Sequence, residues 1–199
     1  MYEVVVTFLD AILSPRDYQE LLEGDSEWNW DKETRIKAQG MKASLCNFQT
    51  ITTFVITKNI LDEVKPLASK FQKREIDIVE AYEMVDDVLK GIRQMRETVN
   101  DNFTQWYEEI LRLSESVGTQ ECLPRRAGIQ RHRSNIPCDT PQEHYTRVTA
   151  IPLLDSLLNQ MCNRFSPDNR QAQGLLSLIP SVLLEKNTTA NTIVEGEKI

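Results

Sequence analysis

From Ile78 to Val117 the apolar residues Ile78, Tyr82, Val85, Leu89, Ile92, Met95, Val99, Phe103, Trp106, Ile110, Leu113 and Val117 recur at spacings of three and four, with irregularities near Met95. Such a row occupies one face of a helix, or of two helices joined at a kink, and it needs apolar cover. A straight helix of that length, at ~1.5 Å per residue, would run roughly 60 Å. The β-branched residues and asparagines of Thr98–Asn102 are poor helix formers, so a bend is expected there. Gly118 is a natural C-terminal stop. Elsewhere, too, the apolar spacing is helical and no two-residue alternation persists. The expected fold is therefore all-α: an irregular helical bundle with one long or kinked helix.

Local signals divide the rest of the chain. Tyr2–Leu13 reads as a helix ended by Pro15, and the acidic stretch Glu20–Glu27 contains a turn at Gly24 and Asp25. Asp31 is an N-cap candidate for a helix from Lys32, weakened by Gly40. The next helix carries an inner stripe of Phe48, Ile51, Phe54, Val55 and Leu61, and Pro66 is expected to break or restart it. Thr140, Pro141 and Glu143 combine a cap, a first-turn proline and a capping box. The helix they start has the stripe Tyr145, Val148, Leu154, Leu157, Met161 and Phe165, with Pro152 expected to kink it. A short helical piece, Leu175–Leu178, precedes Pro180. The polar residues from Lys186 onward read as a loosely held tail.

Composition excludes several classes. With 199 residues, 40% hydrophobic and 27% charged, the chain can bury one proper core or two small ones. No apolar run approaches the ~20 residues of a membrane span, and no signal-peptide pattern is present, so no membrane partner is expected. Cys46, Cys122, Cys138 and Cys162 are isolated, which fits a reducing compartment, nuclear or else cytoplasmic. The sequons at Asn102 and Asn187 are then chance matches.

Catalytic signatures are missing from the residues. No nucleophile elbow, Walker A loop or G-x-G-x-x-G occurs, so no nucleotide cofactor and no small-molecule substrate is expected. Cys122, His132, Cys138 and His144 are spaced too evenly for a zinc module, and no metal is assigned. Asp86-Asp87 and Glu108-Glu109 cannot clamp a cation from adjacent helical positions. They read as solvated faces, with surface pairs Asp86 to Lys90 and Glu108 to Arg112.

Two features point to binding instead. Arg125, Arg126, Arg131 and Arg133 surround His132 with no carboxylate among them, in a chain of formal charge -7. They can contact phosphates, or they can pair with acidic faces of the same chain, whose first thirty residues hold seven carboxylates and one arginine. Trp28 and Trp30 lie two residues apart and cannot share one helical face. They form either a hydrophobic lid over the helical core or a surface that stacks on nucleic-acid bases.

Three segments carry a resemblance: WNWDKETRIKAQG (Trp28–Gly40), VITKNILDEVKPLASKFQKREIDIVEAY (Val55–Tyr82) and QRHRSNIPCDTPQEHYTRVTAIPLLDSLLNQMCNRF (Gln130–Phe165). In order and length they resemble hAT-family transposase-derived proteins, in the branch of MYM-type zinc-finger-like proteins and the repressor of the inhibitor of the protein kinase. The resemblance runs from Tyr2 to Leu184. It implies a helical domain over residues 1–184, the insertion domain of an RNase H-like transposase, followed by a flexible tail over 185–199. It also places the family's catalytic carboxylates outside this chain, so no enzymatic activity is expected. The C-x-x-H pair of some family insertions is absent, since Gln49 follows Cys46 by three and Pro141 follows Cys138 by three. A family tryptophan that holds flipped bases would correspond to Trp28 or Trp30. The implied function is binding, to DNA, to another copy or to a full-length related protein. The alternative is a helical scaffold or dimerisation module that uses the Ile78–Val117 stripe and no nucleic acid.

Overall fold

A computed structural model of the chain describes residues 1–21, 30–72, 78–124 and 140–167. The described residues are all-α and contain no strand. The helices are α1 (Tyr2–Leu13), α2 (Lys32–Leu45), α3 (Phe48–Phe71), α4 (Ile78–Glu97), α5 (Val99–Ser116), α6 (Pro141–Tyr145) and α7 (Ile151–Arg164). Tight 3-10 turns follow α1 over Pro15–Leu21. The expected helical piece Leu175–Leu178 and the expected tail 185–199 lie outside the described residues.

The chain divides into two compact units. One is Met1–Ile60 with Thr98–Pro152, and the other is Leu61–Glu97 with Leu153–Ile199, so far as these are described. The first unit buries Tyr2, Val6, Leu9 and Ile12 of α1, Phe48, Ile51, Val55, Ile56 and Ile60 of α3, and Val99, Phe103, Trp106, Tyr107 and Ile110 of α5. The Phe48 ring lies 5.7 Å from that of Tyr145 and 6.4 Å from that of Tyr107, both tilted or edge-on as aromatic quadrupoles prefer. The second unit buries Leu67 of α3, Val85, Val88, Leu89 and Ile92 of α4, and Leu154 and Met161 of α7. Phe165 stacks on Phe71 at 6.2 Å and meets Tyr82 edge-on at 6.0 Å.

The long row is interrupted at Thr98. This residue, at φ -100 and ψ 26, separates α4 from α5. Of the stripe, Val85, Leu89, Ile92, Val99, Phe103, Trp106 and Ile110 are buried, while Tyr82, Met95, Leu113 and Val117 are half-buried. At the far end Gly118 takes φ 68. There the Gly118 N–H donates to Glu115 O at 3.0 Å and the Thr119 N–H to Ser114 O at 2.8 Å, the paired bonds of a Schellman stop.

Both predicted caps form. Asp31 Oδ1 accepts the Thr34 N–H at 2.8 Å, and hydrogen bonding from the Thr34 side chain and then its backbone holds the Asp31 carboxyl below its ordinary value. Thr140 Oγ1 accepts the Glu143 N–H at 3.2 Å, with Pro141 at the first helical position. The Glu143 carboxylate pairs with Arg147 at 2.5 Å.

Other expectations change. Helix α3 continues through Pro66 to Phe71, because the ring forfeits a single i→i−4 bond and buried Leu67 holds the following turn. Phe54 and Leu61 are exposed rather than inward, and the inner face of α3 is taken by Ile56 and Ile60. Pro152 is accommodated by a widened turn over Thr146–Ala150, where the Ile151 N–H donates to Thr146 O, five residues back. Lys90 pairs with Asp87 at 3.2 Å. Glu109 is not a plain solvated residue: it takes Lys58 at 2.7 Å and Asn59 at 3.1 Å across helices. Burial raises its pKa, but those two hydrogen bonds outweigh burial and hold it below its ordinary value.

Candidate nucleic-acid interface

Arg125, Arg126, Arg131, Arg133 and Trp28 lie outside the described residues. The structure does describe Trp30 and both ends of the segment that carries the arginines.

Trp30 immediately precedes the Asp31 cap, so the start of α2 fixes its position. It is half-buried and packs against the small cluster of Leu9, Ile12 and Ala38. It also lines an open hollow of about 300 Å³ with Leu13, Lys32, Arg35, Ile36 and Gln39. Lys32, Arg35, Ile36 and Gln39 fall on one side of α2 by the helical spacing of three and four. Arg35 Nη2 donates to Leu13 O at 2.9 Å, which satisfies a carbonyl that the end of α1 leaves open. The result is an aromatic wall with two cations beside it, a combination suited to a base and its phosphate. Lys32 and Arg35 were not singled out in the sequence. The signal available was their helical spacing after a tryptophan placed at a cap.

The chain leading into the arginine-rich segment is fastened at three successive points. Thr119 Oγ1 donates to Cys46 O at 3.0 Å. The Tyr107 hydroxyl donates to the Glu121 carboxylate. The Tyr145 hydroxyl donates to Cys122 O at 3.3 Å. Burial, together with the Glu121 bond, pushes the Tyr107 phenol up from its ordinary value, and burial pushes that of Tyr145 up to about 12. Both hydroxyls therefore stay protonated and able to donate at neutral pH. The return end is fastened as well: Thr140 caps α6, Gln142 Nε2 donates to Thr104 Oγ1 at 3.3 Å, and Thr146 Oγ1 donates to Gln142 O at 2.8 Å. Tyr145 serves both ends, since it belongs to the returning helix and bonds the outgoing strand of chain. Neither tyrosine's role is legible in the sequence, where Tyr145 counts only as apolar and Tyr107 stands outside the apolar row.

No group of three or more His, Cys, Asp or Glu side chains that could hold a metal occurs among the described residues. His132 and Cys138 of the weighed zinc pattern lie outside them. Cys46, Cys122 and Cys162 are free thiols. No described helix is long and apolar enough to cross a membrane.

The chain is similar to the "52 kDa repressor of the inhibitor of the protein kinase" of Homo sapiens, with 25% identity over 194 residues, 94% of this chain and 25% of that protein. The mouse protein of the same name matches at 24% identity over 193 residues, again 94% of this chain and 25% of the relative. The chain thus spans about a quarter of the length of these relatives. No family model and no solved structure matches it.

Proposed function

We propose that the chain is a non-catalytic, hAT transposase-derived helical domain, equivalent to the insertion of an RNase H-like fold, with a nuclear regulatory role exercised through DNA binding. Similarity along nearly the whole chain to a repressor supports a regulatory role. The observation that carries DNA binding is the double fastening of the arginine-rich segment. Thr119, Tyr107 and Tyr145 hold one end and Thr140, Gln142 and Thr146 the other, so Arg125, Arg126, Arg131 and Arg133 issue from a fixed base. In this reading the arginines neutralise phosphates and fix register without reading sequence. Trp30, with Lys32 and Arg35 beside it, adds a stacking surface and charge for an unpaired base.

The test is salt-dependent retention on duplex DNA. Each phosphate contact contributes about 0.9 to the slope of log affinity against log salt, so replacing Arg125, Arg126, Arg131 and Arg133 by Gln should reduce the slope by about 3 to 4. Unchanged binding would remove the role given to the segment. The second reading, protein association without nucleic acid, is favoured by a separate observation: the open apolar face of α1.

A further inference from the structure

A hydroxyl stands directly before a proline at Ser14-Pro15, Thr140-Pro141 and Ser166-Pro167. The serine-proline or threonine-proline step is the one that proline-directed protein kinases accept, but the surroundings of the three differ. Thr140 Oγ1 is engaged as the cap of α6, and Ser166 has the carboxylate of Asp168 two residues on. Ser14 has Arg16 at that place instead. It ends α1 in a non-helical conformation, φ -131 and ψ 67, and is exposed. Its hydroxyl takes no hydrogen bond among the described residues.

Cations stand at the same place. Arg35 Nη2 donates to Leu13 O at 2.9 Å. That oxygen and the Ser14 Cα belong to one planar peptide unit, so the guanidinium lies within roughly 6 Å of the Ser14 Cα, a distance that a phosphoserine side chain spans. Lys32 lines the same hollow as Leu13 and Arg35. Both cations belong to the first turn of α2, the end of a helix that favours an anion, whereas the end of α1 disfavours one. The carboxylates nearby are largely spoken for. Asp10 pairs with Lys42, and Asp31 caps α2. Asp17, whose N–H donates to Ser14 O at 3.1 Å, is the like charge that the cations must outweigh.

We propose that Ser14 is a phosphorylation site and that Arg35 and Lys32 hold its phosphate at the mouth of the hollow. The Ser14 hydroxyl oxygen attacks the γ-phosphorus of ATP bound to a proline-directed kinase. The Oγ–P bond forms as the bond to the β-phosphate oxygen breaks, ADP leaves, and the hydroxyl proton passes to the kinase's base. The new group carries about -1.5 to -2 charges at neutral pH and supplies three acceptor oxygens, which suit a guanidinium. One consequence rests on the nucleic-acid reading given above: the phosphate would occupy the two cations assigned there, so modification would switch the hollow off. The capture itself does not depend on nucleic acid.

The experiment incubates the full chain, as wild type, Ser14→Ala, Lys32→Gln and Arg35→Gln, with a proline-directed kinase and magnesium ATP. Mass spectrometry locates the phosphate, and phosphorus NMR follows its second ionisation. Ser14 should take up one phosphate that S14A does not. In the folded chain that phosphate should titrate at least about half a pH unit below its value in urea, because cations favour the dianion. Lys32→Gln and Arg35→Gln should each move it back toward the urea value with helical circular dichroism kept. Lys32 is exposed, so its variant remains informative even where loss of the Arg35 bond loosens the end of α1. No incorporation at Ser14, or a phosphate that titrates alike folded and unfolded, would overturn the proposal. A lowered value that neither substitution moves would overturn the capture by Arg35 and Lys32. A captured phosphate that leaves retention on single-stranded DNA unchanged would overturn the nucleic-acid role of the hollow and leave the phosphorylation site standing.

Discussion

Tyr145 does more than fill space. Its ring is buried against Phe48, and its hydroxyl reaches the Cys122 carbonyl, so one side chain joins the aromatic centre of the first unit to the root of the arginine-rich segment. The neutral phenol is the stabilised form, with its pKa pushed up to about 12 by burial against 10.0 in the unfolded chain. A raised value means that this contribution is complete below pH 10 and declines as pH climbs through about 12. Tyr107 acts in the same direction, through burial and its bond to Glu121. Urea unfolding followed from neutral pH upward should show stability falling above pH 10, and Tyr145→Phe should flatten that fall. The same substitution should cost about 1 kcal/mol at neutral pH, the ordinary worth of one hydrogen bond. An alkaline limb identical in the variant would show that Tyr145 does not ionise on unfolding there.

Among the elements, the end of α5 isolates a backbone effect. Gly118 holds φ 68, and a Cβ there would meet nothing within 4 Å. Gly118→Ala should therefore cost about 1 to 2 kcal/mol through conformation alone, and Gly118→Asn less, as measured by denaturant midpoint. This stop was legible in the sequence, as were the limits of α1, the break at Thr98 and the caps at Asp31 and Thr140. All five depend on residues within one or two turns. What was not legible depends on partners distant in sequence. Pro66 reads as a break, yet Leu67 is buried and carries α3 past it; Phe54 and Leu61 fit an inner stripe that Ile56 and Ile60 occupy instead. Trp30 was visible as a candidate, but Lys32 and Arg35 joined it only through the hollow they share. The fastening of Glu121 and Cys122 spans 14 and 23 residues, and no local pattern announces it.

The whole molecule sets an acidic background, with a formal charge of -7 and a pI near 5.0. At neutral pH that field opposes close approach of nucleic acid, so any binding must be concentrated where the arginines are. It also keeps copies of the chain apart. Light scattering against pH should show solubility lowest near pH 5.0, where net charge vanishes and apolar surface is no longer restrained by repulsion. A flat profile across that range would show that charge does not govern its colloidal behaviour. The fastened roots at Cys122 and Thr140 carry one more consequence. Because each end is held by bonds to the body of the first unit, doubling the length enclosed adds only about 0.6 kcal/mol of closure entropy. That makes the interval a natural graft point, where chain can be exchanged or lengthened in the laboratory between two fixed roots.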